Sequence, residues 1–298
     1  MMNDVKMTMD ELIKLVDKKL DEFMTVQQPE DLFKSMRYTV LLPGKRLRPV
    51  MCLETCRMLG GEIEKAIPAA CAIEMLHAQT LIHDDLPCMD NDDYRRGQKS
   101  NHKVFGEAVA VLAGDALLTF APQIFLQNSV YLSAECKLKV LEEYHKFAGA
   151  YGVIAGQVID IESENGKFTQ EKQDTLKYIH LHKTADLFKL SIRTGAIIAK
   201  ADNEKLSLLT DFAEKLGLAF QIADDILDEI STFEALGKTP GKDKTAGKLT
   251  YVSLFGLEEA KSKLICLFEE CYDIINSNGF KSEIFTDIIE GIKKRVKI

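Results

Sequence analysis

The chain of 298 residues carries 46 acidic and 38 basic side chains, which gives a net charge of −8 and a pI near 5.4. This acidic balance argues against a nucleic-acid partner, because binding to a phosphate backbone is driven by clustered cations. The hydrophobic fraction of 46% is enough for a large core, and we predict a single domain over residues 1–298. Seven cysteines without zinc-ligand spacing indicate reduced thiols in a cytoplasmic protein.

The predicted elements are helices almost throughout, because apolar residues recur every three or four positions and alternating strand patterns are hard to find. The first twenty residues are typical of an amphipathic helix and lack the apolar core of a signal peptide. The most apolar stretch, 108–126, is interrupted by Asp115 and Pro122, so we expect no stable membrane insertion. Sparse proline and glycine residues separate about ten helices, which predicts an all-α bundle.

Two aspartate clusters follow apolar helical stretches, with the sequences DDLPCMD at 84–90 and DDILD at 224–228. Adjacent carboxylates repel each other, and the C-terminal end of a helix adds partial negative charge. A chain that repeats this arrangement is expected to bind cations there. Hard oxygen donors without a cysteine or histidine majority favour Mg²⁺.

The spacing within each cluster predicts how the carboxylates meet. Asp224 and Asp228 are four apart, so they share one face of a helix. Asp84 and Asp90 are six apart, and Pro87 predicts a bulge that returns Asp90 to the face of Asp84. The central hypothesis is that both clusters converge on one cation cluster.

Basic residues gather in a few short segments, which suits a diphosphate ligand. Arginine forks bind phosphate oxygens bidentately, and lysines act as point charges. The segments are GKRLRP at 44–49, Arg95-Arg96, Lys183-Thr184, and the lysines Lys238, Lys242, Lys244 and Lys248. We expect the loop 229–247, which holds most of these lysines, to be a mobile lid.

Two histidines precede the first aspartate cluster. His77 lies two turns before Asp84 on nearly the same helical face, where it can donate a hydrogen bond to a bound phosphate. Thr80 lies one turn before Asp84 on that face. His83 lacks this alignment, and we expect it to be structural.

At these residues the chain closely resembles the trans-prenyl diphosphate synthases, the farnesyl and geranylgeranyl diphosphate synthase family. The resemblance extends from Gly44 to about Gly256. It rests on the ordered blocks GKRLRP at 44–49, LIHDDLPCMDNDDYRRG at 81–97, NHKVFGE at 101–107, LAGDALL at 112–118, GQVIDI at 156–161, KT at 183–184, FQIADDILD at 220–228, and GK at 237–238 and 247–248. Lys99-Ser100 stands where the family often has proline-threonine, outside the ligand positions.

The resemblance implies a role for each matching residue. It implies that Mg²⁺ on the allylic diphosphate is held by Asp84, Asp90 and Asp224. Asp85 and Asp228 complete the acidic walls. The residues that match the isopentenyl diphosphate site are Lys45, Arg48, His77 and Arg96. Those that match the allylic diphosphate site are Arg95, Lys183, Thr184, Gln221, Lys238 and Lys248. The expected catalytic residues are Asp84, Asp90, Lys183, Asp224 and Lys238.

The resemblance also implies a fold and a reaction. The fold is an all-α isoprenoid-synthase bundle around a central cavity, and such enzymes are usually homodimers. Their substrates are isopentenyl diphosphate and an allylic diphosphate, either dimethylallyl, geranyl or farnesyl. Metal ions neutralise the departing diphosphate, and the double bond of isopentenyl diphosphate attacks the allylic carbocation. The departing pyrophosphate removes the proton, so no protein base is needed.

Product length is predicted from the helix before Asp84. Farnesyl-type relatives commonly carry an aromatic residue five positions before the first aspartate, where this chain has Gln79 beside the small Thr80. A non-aromatic residue leaves a deeper cavity, which favours geranylgeranyl over farnesyl diphosphate and predicts that Gln79→Tyr shortens the product. The alternative is a stopper on another helix, such as Phe120 or Met75.

Other classes of protein fit parts of the sequence. A ferritin-like di-iron bundle would use Glu74 with His77 and Glu142 with His145, at the glutamate–histidine spacing of such sites. That reading gives both aspartate clusters and the basic segments no role. A non-catalytic subunit that binds prenyl diphosphates has no need of two acidic walls. Terpene cyclases share the aspartate motif but need no second diphosphate pocket.

Overall fold

The computed structural model describes residues 7–168, 170–230 and 248–298, and helices dominate it. The helices are α1 (Met9–Phe23), α2 (Glu30–Val40), α3 (Leu47–Met58), α4 (Ile63–Asp84), α5 (Asn101–Phe105), α6 (Glu107–Asn128), α7 (Ala134–Ala148), α8 (Val153–Glu164), α9 (Lys172–Ile179), α10 (Asp186–Ile198), α11 (Asn203–Ile230), α12 (Tyr251–Phe255), α13 (Leu257–Ser277) and α14 (Glu283–Val296). A π-helical turn, His180–Ala185, joins α9 to α10. Strands β1 (Tyr94–Arg95) and β2 (Gln98–Lys99) form a short antiparallel hairpin.

Ten of these described helices are twelve residues or longer, which confirms the predicted all-α bundle of about ten helices. One hydrophobic cluster includes buried residues from Leu12 in α1 to Val296 in α14. The seven cysteines are free thiols, four of them buried. The extent of a single domain over residues 1–298 stays a prediction.

Helix α4 is the central element, because it is apolar on nearly every side. Fourteen of its residues are buried, which is the pattern of a helix enclosed by other helices. It packs against α6 on one side and against α3 and α10 on others. The helix therefore carries its C-terminal residue, Asp84, out of a dry core.

Helix α6 is long and apolar enough to cross a membrane by length and composition, the one such helix in the described ranges. Asp115 and Pro122 interrupt the apolar sequence without ending the helix, and the expectation of no stable membrane insertion stays a prediction. Ala121, next to Pro122, and Phe125, about one turn later, are buried, and this burial offsets the loss of the backbone hydrogen bond that proline cannot donate. The core helices of proteins that do not cross a membrane can have the same length and apolar composition. Helix α6 packs along α4, as a core helix does.

Candidate active site

The first acidic wall is the turn that follows α4. The helix ends at Asp84, and the backbone N–H of Asp90 donates to the Asp84 carbonyl oxygen at 2.9 Å. The N–H of Asn91, whose φ is +49°, donates to the carbonyl of Leu86 at 3.1 Å. A tight turn, rather than a bulge within a continuing helix, therefore returns Asp90 to Asp84. Both carboxylates line one cavity of about 180 Å³.

The second acidic wall is the last two turns of α11. Asp224 and Asp225 line the same cavity as Asp84 and Asp90. Asp228 instead lines a neighbouring cavity of about 200 Å³, together with Asp225 and Glu229. The structure thus brings the three predicted metal ligands to one cavity and places Asp228 beside it.

Most residues predicted to bind the allylic diphosphate face this cavity as well. The ones that line it are Arg95, Lys183, Gln221 and Lys248. Thr184 does not line it, but its hydroxyl donates to the Gln221 side-chain oxygen at 2.6 Å and so holds that amide. Lys238 and the rest of the predicted lid within 231–247 lie outside the described residues.

The two acidic walls do not form a closed metal site by themselves. Within the described ranges, no three histidine, cysteine, aspartate or glutamate side chains are grouped closely enough to hold a metal ion. The predicted convergence of the clusters is therefore limited to a shared cavity. Asp84, Asp90 and Asp224 offer oxygen donors only, and a diphosphate between the walls offers the remaining oxygens, which fits Mg²⁺.

Burial changes the protonation chemistry of the first wall. Burial raises the pKa of Asp84 from its ordinary value to about 6; the charge of Asp90 adds to this effect, and Lys183 opposes it. A cation placed beside such a carboxylate stabilises its charged form. The site without ligands therefore holds a negative charge at a cost, as expected of a cation-binding position.

Arg95 is aimed at the cavity by a carboxylate of the first cluster. Its Nε donates to Asp85 at 2.9 Å, its Nη2 also bonds Asp85, and Asp92 lies 3.4 Å away. Asp85, predicted as part of the acidic wall, is buried and serves as the partner of Arg95. The guanidinium is thus pre-positioned for a phosphate oxygen.

Lys183 projects from the π-helical turn between α9 and α10. Its Nζ donates to Asp160 of α8 at 2.5 Å. Burial alone would lower the pKa of Lys183, but the charges of Asp160 and Asp84 outweigh it and raise that pKa, so the ammonium stays charged. Gly156 permits this arrangement, because a Cβ there would lie 2.3 Å from the Lys183 backbone nitrogen. Lys248 joins the same group, 3.7 Å from Asp160.

A second basic group lies beside the cavity, at the start of α3 and the middle of α4. Arg48 Nη1 lies 3.4 Å from His77 Nε2. Among the described residues, Arg48 Nε and His77 Nδ1 are buried without a hydrogen-bond partner. Burial lowers the pKa of Arg48 to about 10, and burial together with Arg48 lowers the pKa of His77 well below its ordinary value. Unpaired buried polar atoms of this kind indicate a missing ligand, and these donors suit an anion.

Lys45 and Arg96 flank this second group. Lys45 lies at the surface, but partial burial of its ammonium, followed by the charge of the nearby Arg295, lowers its pKa. Arg96 lies 3.7 Å from Glu74 of α4. Gly44 leaves room for it, since a Cβ there would lie 2.8 Å from the Arg96 guanidinium carbon. The predicted isopentenyl diphosphate residues therefore gather at one edge of the site.

The sequence reasoning assigned no individual role to several residues of the site. Arg295, in the last turn of α14, has its Nη2 3.3 Å from Asp224 Oδ1. Asp225 accepts from the Tyr251 N–H at 2.7 Å and from Gln221 Nε2 at 3.0 Å, so it anchors the start of α12. Asp160 had a signal in the GQVIDI block, whereas Arg295 had only the basic run KKR near the end of the chain.

The predicted chain-length residues point to different neighbours. Gln79 is buried, and its Nε2 lies 3.1 Å from Nδ1 of His83. His83 Nε2 in turn contacts the Val111 carbonyl of α6 at 3.1 Å, a structural role as predicted. The Thr80 hydroxyl donates to the His77 carbonyl at 2.8 Å. Gln79 is thus turned toward α6, and its role in product length stays a prediction.

The di-iron alternative is not supported by these positions. Glu74 is buried and bonds Arg46 at 2.7 Å, and His77 lies against Arg48. Glu142 and His145 lie exposed on α7. Without a group of three such ligands in the described part of the chain, the two glutamate–histidine pairs form no common centre.

Comparison with known proteins agrees with this geometry. The family model for polyprenyl synthetases matches residues 29–287. A dimethylallyltranstransferase of Fischerella ambigua is 48% identical over 86% of this chain and 73% of that protein. The large subunit 1 of a heterodimeric geranylgeranyl pyrophosphate synthase of Arabidopsis thaliana is 48% identical over 91% of this chain and 73% of that protein. The solved apo structure of an FPP/GFPP synthase from Zymomonas mobilis superposes with a TM-score of 0.83 at 32% identity, covering 97% of both chains.

Proposed function

Because the chain belongs to the polyprenyl synthetase family, we propose that it is a prenyltransferase that condenses isopentenyl diphosphate with dimethylallyl, geranyl or farnesyl diphosphate. The observation that carries the proposal is the pair of anion sites. One is the cavity between Asp84 and Asp224, and the other is the group of buried, unpaired donors on Arg48 and His77. Two neighbouring diphosphate sites suit a condensation, whereas a terpene cyclase needs only one.

Mg²⁺ is the cofactor that the donor set favours. We propose that Asp84, Asp90 and Asp224 hold it together with oxygens of the allylic diphosphate. Bound there, the ion would neutralise the diphosphate charge and so assist its departure.

The residues of the chain itself have separable roles in this reaction. Arg95, Lys183 and Lys248 hold the allylic diphosphate and stabilise the charge that develops when its C–O bond breaks. Arg48 and His77 orient isopentenyl diphosphate so that its double bond can form the new carbon–carbon bond. Neutral His77 donates a hydrogen bond through its one N–H, and the released pyrophosphate takes the proton that the cationic condensation intermediate loses as the product double bond forms.

The growing hydrocarbon follows one face of α4 in this proposal. Thr80, Ile73 and Ala69 lie within about 60° of Asp84 around the helix, whereas Gln79 lies about 140° away. Ile73 and Ala69 line a small apolar cavity of about 10 Å³, roughly 16–22 Å along α4 from Asp84. We propose that the chain grows toward this cavity and that geranylgeranyl diphosphate is the favoured product, with farnesyl diphosphate the alternative.

We propose further that the protein is a cytoplasmic homodimer. The apolar side chains of Val111, Leu112 and Leu126 on α6 are 40%, 58% and 43% exposed. A second copy of the same helix would cover such a face. The relative in Arabidopsis thaliana named as a heterodimer subunit makes an unlike partner the alternative.

Incubation with radiolabelled isopentenyl diphosphate, Mg²⁺ and each allylic diphosphate tests the function. We expect label to enter longer prenyl diphosphates, with a twenty-carbon product from farnesyl diphosphate. Incorporation should stop when EDTA replaces Mg²⁺. If no allylic substrate supports incorporation but the protein binds the diphosphates in equilibrium dialysis, it is a non-catalytic subunit, and the enzyme proposal is wrong.

A further inference from the structure

A further cavity, larger than those at the candidate active site, lies at the opposite end of α3 and α4. Its volume is about 480 Å³, within the usual range for small-molecule sites. Its walls include Leu15 of α1 and, on α4, Ile63 and Ile67. Ile63 is 21 residues from Asp84 on α4, so the cavity is roughly 30 Å from the acidic walls.

Two cations on the cavity wall have donors to spare. Arg57 donates through Nε and Nη2 to Glu54, at 2.8 Å each, and its Nη1 makes no hydrogen bond within the described part of the chain. Lys19 donates to Glu22 at 2.7 Å, which uses one of its three protons. The cavity therefore offers an apolar interior with positively charged donors at its edge.

The two carboxylates on the wall compete little with these donors. Glu11 is occupied by the cap of its own helix, because its carboxylate accepts from the Thr8 N–H at 2.8 Å and from the Thr8 hydroxyl at 3.0 Å. Glu64 lies in the first turn of α4, where the helix dipole favours its negative charge. An anionic group entering the cavity is thus drawn to the side of Arg57 and Lys19.

We propose that this cavity binds a small anionic amphiphile, with its apolar chain between Leu15, Ile63 and Ile67 and its carboxylate or phosphate on Arg57 and Lys19. The occupant has the chemistry of a fatty acid or an alkyl phosphate. The site is separate from both diphosphate sites and shares none of their residues.

A chain of contacts links this cavity to the acidic wall of α11. Glu54, which Arg57 holds, is fully buried and accepts from the Ser282 hydroxyl at 2.5 Å. Ser282 is the N-cap of α14, since its oxygen accepts from the Phe285 N–H at 3.0 Å. The far end of α14 carries Arg295 against Asp224. An anion bound at the Nη1 of Arg57 shares the charge of the guanidinium with Glu54 and so changes the strength of the Ser282–Glu54 hydrogen bond, which couples occupancy of the cavity to α14.

Methyl NMR on the full chain, labelled at isoleucine and leucine, tests the binding. Dodecanoate and dodecyl phosphate are the two anionic probes, and dodecanol is the neutral probe. We expect the anionic probes to shift the methyls of Leu15, Ile63 and Ile67 and to bind at least about tenfold more tightly than dodecanol, the worth of one charged hydrogen bond. The tighter anion identifies the head group. Shifts confined to Leu81, Ile179 and Leu249, which line the diphosphate cavity, would overturn the proposal.

Variants sharpen the test without relying on enzyme activity. Ile67→Trp fills the cavity and should abolish the shifts at Leu15 and Ile63. Lys19→Gln keeps the packing and should weaken the anionic probes several-fold, leaving dodecanol unchanged. Lys18→Gln is its matched control, because Lys18 is 73% exposed on the same helix and does not line the cavity. Equal weakening by both lysine variants would refute recognition of the head group.

The coupling between the cavity and α14 is tested by a separate set of methyl shifts. Dodecanoate should also shift the methyls of Ile284, Ile288 and Ile292 on α14, which does not line the cavity. Their shifts should disappear in Ile67→Trp. If the cavity methyls respond and those of α14 do not, the coupling is wrong.

Discussion

The guanidinium of Arg295 lies 3.3 Å from the carboxylate of Asp224, so the last helix of the chain touches the second acidic wall. The side chains of Arg295 and Asp224 are 33% and 40% exposed, which makes the pair reachable by ligands. Burial is the main cause of the lowered pKa of Lys45, and the charge of Arg295 is the next. The guanidinium of Arg295 therefore lies near the second basic group. The C-terminal helix is therefore part of the site, although no sequence block pointed to it.

Arg295→Gln should strengthen the binding of divalent metal in the absence of substrate, because it removes a cation that competes for Asp224. We expect the dissociation constant for Mn²⁺, measured by electron paramagnetic resonance, to fall about two- to fivefold, the range of one exposed ion pair. Lys294→Gln removes an exposed charge from the neighbouring position and is the control. An equal change in both variants would mean that only net charge matters.

Asp84→Asn should stabilise the metal-free protein at neutral pH while it abolishes metal-dependent activity. Because burial raises the pKa of Asp84 to about 6, the folded chain holds its proton at higher pH than the unfolded chain does. The charge of Asp84 therefore destabilises the fold above about pH 6, and this cost disappears as pH falls toward 4. We expect urea unfolding at pH 7.5 to give a gain on the order of 1–3 kcal/mol that vanishes by about pH 4.

The exposed Asp287 supplies the comparison for this effect. Asp287→Asn should leave the free energy of unfolding nearly unchanged at both pH values. A gain for Asp84→Asn that persists at pH 4 would point to packing rather than to charge.

The helical bundle and most of the site followed from local patterns. Asp84, Asp90 and Asp224 were recognisable because their acidic blocks repeat at the ends of apolar helices, and Lys183 was recognisable from the family resemblance. The turn that joins Asp84 to Asp90 could not be predicted from the sequence, because the hydrogen bond from the Asp90 N–H depends on the residue at which α4 ends. Sequence spacing indicates which residues share a face of a helix, but it does not indicate the residue at which the helix ends.

Contacts between distant elements were beyond the sequence. The bond from Lys183 to Asp160 joins α8 to the π-helical turn, and Arg295 pairs with Asp224, 71 residues earlier in the chain. The orientation of Gln79 toward His83 also depends on the packing of α6 against α4. Such pairings are set by tertiary packing, which no single-element pattern encodes.

Thr80→Tyr should shorten the product, because Thr80 lies on the same face of α4 as Asp84. We expect mainly farnesyl diphosphate from isopentenyl and geranyl diphosphates, measured by chromatography of the hydrolysed products. Gln79→Tyr should shorten the product less, because Gln79 is turned toward His83. If Gln79→Tyr shortens the product and Thr80→Tyr does not, the hydrocarbon runs on the α6 side.

Lys183→Gln should lower kcat by about a hundredfold or more, the usual cost of losing one donor to developing charge. The glutamine amide removes the positive charge while it keeps a hydrogen-bond donor directed toward Asp160. Lys177→Gln, at an exposed position on α9, should leave kcat unchanged. A rise in KM with an unchanged kcat would assign Lys183 to binding alone.

The central claim is that both acidic walls bind one metal–diphosphate group. A crystal structure with Mn²⁺ and geranyl thiodiphosphate, an analogue that ionises slowly, tests this claim most directly. We expect anomalous peaks between the walls, with Asp84 and Asp90 on one side and Asp224 on the other, each about 2.0–2.3 Å from a metal. The thiodiphosphate should contact Arg95 and Lys183, with its hydrocarbon directed toward Ile73. Metal bound to only one wall, or diphosphate bound outside this cavity, would contradict the account.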